Sequence, residues 1–70
     1  MSNEKTEQQK ALDLIKNAGY LVSTATTQQE KDLAWSKKRL AMRACGDAKV
    51  PYLEMLDAYV EGYNKSITVH

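Results

Sequence analysis

Seventy residues carrying ten Lys and Arg, nine Asp and Glu and a single His allow one small domain with a formal charge of +1. A near-neutral chain has no overall field to draw it to polyanions or membrane surfaces, so any electrostatic function must be local. One cysteine excludes an internal disulfide framework and a cysteine-based metal cluster, and no apolar run approaches the roughly 18 residues that a bilayer span needs.

The opening residues MSNEKTEQQK lack the apolar stretch of a signal peptide. With one unpaired cysteine, this predicts a chain of the reducing cytoplasm, with no membrane association. Residues 1–5 are polar and aperiodic and are expected to fray. Thr6 and Gln9 then fit a T-x-x-Q capping box, and Ala11, Leu12, Leu14, Ile15 and Ala18 recur on one helical face, which predicts a first helix over 6–18 with Gly19 as its stop. Tyr20 to Ala25, with Tyr20, Leu21 and Val22 apolar in a row, reads as a connection packed under the bundle, with a short strand as the alternative.

Thr27 and Glu30 form a stronger box, T-x-x-E, and open a second helix over 27–45 that Gly46 is placed to end. Pro51 suits the start of a third helix, and Tyr52, Met55, Leu56, Tyr59, Val60 and Tyr63 share one stripe that predicts helix over 51–64, with 65–70 flexible. The fold class is therefore all-α, a compact three-helix domain with frayed termini. Leu14, Ile15, Leu33, Leu40, Leu56, Tyr59 and Val60, at the centres of their stripes, are the expected core. For a chain this short, core burial and ordering entropy nearly cancel, so self-association or a partner is expected to contribute to stability.

Helix two is apolar on two sides. Leu33, Leu40 and Ala44 project one way, Trp35 and Met42 nearly the opposite way. A central helix sandwiched between two neighbours would use both stripes as core. If the other helices pack on the Leu33 side instead, Trp35 and Met42 form a partner-binding patch of anchor chemistry, rimmed by Lys31, Lys38 and Arg39, with Tyr63 as an addition from helix three. A separate row of helix two holds Asp32, Ser36, Arg39 and Arg43, and Lys37 and Lys38 add charge nearby. This basic face would suit an anion or nucleic acid. The simpler expectation is pairing with Glu54, Asp57 and Glu61 on helix three, as ordinary surface decoration.

Helix two, Gly46 and helix three resemble a helix-turn-helix in outline, but helix three would bring Glu54, Asp57 and Glu61 against the phosphates. Catalysis finds no constellation. His70 is the last residue, Cys45 sits near a helix C-terminus whose dipole disfavours the thiolate, and the three glycines are too scattered for a phosphate loop. The residues predict a noncatalytic protein-binding module, without metal or cofactor, acting as a small regulator, inhibitor or subunit of a larger assembly. The alternative is a nucleic-acid-associated regulator working through Lys37, Lys38, Arg39 and Arg43.

Overall fold

The computed structural model describes residues 6–68, with side chains through residue 65. It contains three helices, α1 (Glu7–Thr24), α2 (Gln28–Asp47) and α3 (Tyr52–Thr68), and no strand among the described residues. The expected ends 1–5 and 69–70 lie outside the described residues, whereas 65–68 belong to α3 instead of a loose tail.

Capping places the helix starts where the sequence predicts them. Gln9 N donates to Thr6 Oγ1 at 3.1 Å, although the Gln9 side chain turns forward to Asp13 and leaves that box half made. At α2 the box is complete: Glu30 N donates to Thr27 Oγ1 at 3.1 Å and Thr27 N donates back to Glu30 Oε1 at 3.1 Å. Thr26 adds two further donors to the same oxygen, from its N and Oγ1, each at 2.9 Å. These bonds, the Thr26 backbone first, hold the Glu30 carboxyl below its ordinary value of 4.5.

The predicted stops are displaced. Gly19 does not end α1, which continues to Thr24, so Tyr20 to Thr24 is helix and not a connection. Gly46 likewise lies inside α2. The real stop is Lys49, in the left-handed region at φ 61°, with Val50 N donating to Cys45 O at 2.9 Å in the pattern that closes a helix C-terminus. Gln8 Nε2 reaches across from α1 to the carbonyls of Ala48 and Lys49, both at 3.1 Å, and takes up acceptors that the helix end leaves open.

Helix α1 is central. It packs along both α2 and α3, while α2 and α3 scarcely meet. Glycine makes the α1–α3 approach possible: a Cβ at Gly19 would collide with the Tyr59 carbonyl, and one at Gly62 with the Lys16 carbonyl. The signal read as a helix stop is thus a contact point between two backbones. Outside this seam Lys16 Nζ meets Glu61 Oε1 at 3.3 Å, so Glu61 pairs with α1 and not with the arginines of α2.

The core is built of small residues. Ala11, Ile15, Ala18, Ala34, Ala41, Cys45, Met55 and Ala58 are buried, and among these only Ile15 and Met55 are large. Of the expected core, Ile15 is enclosed and Leu56 and Tyr59 are half-buried, but Leu14, Leu33, Leu40 and Val60 are exposed. The reason lies in two triplets, Leu33-Ala34-Trp35 and Leu40-Ala41-Met42. Successive helical residues point about 100° apart, so burying the middle alanine leaves each large neighbour on a shoulder. Neither apolar stripe of α2 is the core stripe; the alanines between them are.

Candidate partner-binding site

The shoulder of α2 toward α3 carries Trp35 and Met42, which are 54% and 41% exposed. Lys38, one turn after Trp35, lays its Nζ 4.3 Å from the Trp35 ring centroid and 4.8 Å from that of Tyr59 on α3. Tyr59 continues to Tyr63, with ring centroids 6.3 Å apart and planes tilted by 41°. Trp35, Lys38, Tyr59 and Tyr63 therefore form one array across the gap that α2 and α3 leave open. An ammonium above two aromatic faces is held electrostatically and is only partly desolvated, so it retains donors for an incoming acceptor.

Partial burial raises the Tyr59 phenol above its ordinary value, and the neighbouring Tyr63 adds to the shift. At neutral pH the Tyr59 phenol is therefore protonated and can donate a hydrogen bond. Helical geometry puts Lys31 on the same shoulder and Arg39 at its outer edge, while Glu54, Asp57 and Glu61 occupy the far side of α3 from Tyr59. Lys31, Lys38 and Arg39 make this side of α2 predominantly basic, with Asp32 in the row of Arg39 at its outer edge.

Of the residues expected at a binding patch, Trp35, Met42, Lys31, Lys38 and Tyr63 share this side. Tyr59 belongs to the array although it reads as core in the sequence; its place follows from the crossing of α3 over α1, for which no local pattern exists. The basic set behaves differently. Lys37 lies on the opposite shoulder from Lys38, and Arg39 and Arg43 lie on the outer face, so the four do not converge. Neither arginine makes an ion pair among the described residues, which corrects the expected pairing with α3.

The Cys45 thiol is buried and lies 3.5 Å from the Ala11 carbonyl, to which it donates. Desolvation raises its pKa, in the same direction that the helix C-terminus would push it but from a different cause. No cluster of three or more His, Cys, Asp or Glu able to hold a metal occurs among the described residues, and none of their helices is long and apolar enough to cross a membrane.

Comparison with protein-family models, with curated proteins and with solved structures finds no match to this chain.

Proposed function

We propose that this protein is a noncatalytic protein-binding module, a small regulator, inhibitor or subunit, whose α2–α3 groove receives an amphipathic helix with an acidic edge. The observation that carries this reading is the exposed Trp35 ring with Lys38 set over it and over Tyr59. Exposed Trp and Tyr supply anchor energy at low entropic cost, and Lys31, Lys38 and Arg39 around them favour a partner of opposite charge. A helix fits the geometry because the groove runs between two helices and is floored by a third, as in helix-in-groove recognition.

The test is to identify the partner by cross-linking in the native lysate and then to measure its affinity for the parent and for Trp35→Ala. The variant is expected to fold, since its side chain is half exposed, and to bind at least about tenfold more weakly, roughly 1.4 kcal/mol. Equal affinities would remove this groove from the interface. The second reading, nucleic-acid binding, is favoured by the unpaired Arg39 and Arg43. It predicts measurable affinity for DNA or RNA that falls steeply between two salt concentrations and weakens in Arg39→Ala and Arg43→Ala.

A further inference from the structure

Helices α2 and α3 each press one face on α1 and scarcely meet each other. Gln8 bonds the Lys49 carbonyl just ahead of α3, and Gly19 lies against Tyr59, so α3 runs in the direction of α1; Cys45 meets Ala11, so α2 runs against both. On α2, Lys31, Trp35, Lys38 and Met42 follow one another at steps of four, three and four, and on α3 Tyr52, Leu56, Tyr59 and Tyr63 repeat those steps. At about 100° per residue, these stripes stand roughly 70° on α2 and about 100° on α3 from the directions of the buried residues of each helix. That is near a right angle, the arrangement of a corner helix in a four-helix bundle, which touches two neighbours. The Lys38 contact with Tyr59 turns both stripes to the same side, with Trp35 at the level of Tyr63 and Met42 at that of Leu56.

We propose that this fourth corner receives a helix of another protein whose carboxylates, seven residues apart, meet Lys31 and Lys38, with an apolar residue between them for Trp35 and a further one for Met42. The inference rests on the helix-in-groove reading above and specifies the pattern of the partner. Charge selects the acids. Neither lysine makes an ion pair among the described residues, and neither stripe contains an Asp or Glu. Lys38 is already half-buried over two rings, so any helix laid in the groove covers its ammonium. A helix apolar along its whole stripe would leave that charge buried without a partner, which rejects it, whereas a carboxylate at that level pairs it. Spacing selects the period. Residues seven apart on a helix lie about 10.5 Å apart along its axis, so a helix laid along α2 matches both lysines with acids at the same interval, the repeat of helices packed knobs into holes. A single-stranded nucleic acid could stack on the rings and set phosphates on the lysines, but Met42 and Leu56 extend the groove with apolar surface that gives it no contact of either kind.

The test is a selection against the full chain from helical peptides about 20 residues long, on an alanine and glutamine scaffold whose stripe positions are drawn from Glu, Lys, Gln and Leu. Affinity is read by the anisotropy of a label on the peptide. Selected peptides are expected to carry Glu at two positions seven apart with Leu between them, and to bind Trp35→Ala at least about tenfold more weakly. Lys31→Glu changes a fully exposed residue and keeps the fold; it is expected to lose about tenfold for the same peptides and to select Lys at the position that faced Lys31. Lys38→Gln, with helical circular dichroism retained, is expected to weaken them by a similar factor. Trp35-dependent peptides without acids seven apart, or peptides that bind Lys31→Glu as tightly as the parent, overturn this pattern and leave the helix-in-groove reading standing. A selection that yields no Trp35-dependent peptide overturns both. Oligothymidylate that binds through Trp35 more tightly than the selected peptides, or Trp35 fluorescence that changes on dilution of the protein alone, puts nucleic acid or a second copy in the groove and overturns the proposal.

Discussion

The seams of α1 and the shoulders of α2 handle side-chain size in opposite ways. Inside the seams nothing larger than Ile15 and Met55 is buried, and at Gly19 and Gly62 even a methyl group has no room. On the shoulders, leucines, a tryptophan and a methionine stand more than a third exposed. A small-residue seam lets backbones approach closely but removes little apolar surface from water, since each alanine contributes one methyl group at about 0.8 kcal/mol. The large apolar side chains that would stabilise a larger core stand on the shoulders instead. The difference teaches that in this protein close helix packing and the burial of large apolar side chains are separate matters.

The sharpest way to break that comparison is to add one methyl group in the seam. Gly62→Ala puts a Cβ against the Lys16 carbonyl, a backbone atom that cannot swing away, and is expected to cost about 3 kcal/mol or more, enough to unfold a domain of this size. Circular dichroism melts would read it, and an unchanged midpoint would mean that α1 and α3 are not in close contact. Next in size is a matched pair of truncations. Ile15→Ala in the seam should cost about 2–5 kcal/mol in urea titration. Leu40→Ala on the shoulder should cost under about 1 kcal/mol, because the leucine already faces water. Equal losses would place Leu40 in the core after all.

A smaller effect of opposite sign is expected at Gly46. It lies within α2 with open space where a Cβ would go, so Gly46→Ala should stabilise by about 1 kcal/mol through helix propensity alone, while the same change at Gly19 destabilises. Thermal melts of the two variants separate a helical glycine that packs from one that does not. The smallest expected effect is on pH dependence. Glu30 has a folded value below its ordinary 4.5, so its stabilisation is complete above that value and disappears as pH falls through the lowered one. The protection of the Thr26 and Thr27 amides relative to intrinsic exchange, followed from neutral pH to about pH 2, should drop over that interval in the parent and show no such step in Glu30→Ala. A seam residue such as Ile15 should lose protection only with global unfolding.

The order and type of the helices, and both of their threonine caps, were legible in the sequence because capping and periodicity are local. Thr27 and Glu30 are three residues apart and need nothing else to find one another. The stops were not legible. A glycine reads the same whether it ends a helix, as expected for Gly19 and Gly46, or admits a neighbouring backbone, and only the approach of Tyr59 to Gly19 decides which. The two apolar stripes of α2 were also visible, with Trp35 and Met42 opposite Leu33 and Leu40, but periodicity weighs large residues most and so passes over the alanines between them. Which direction of α2 faces inward is set by its packing on α1, where Cys45 meets the Ala11 carbonyl, residues 34 positions apart whose meeting no local pattern encodes.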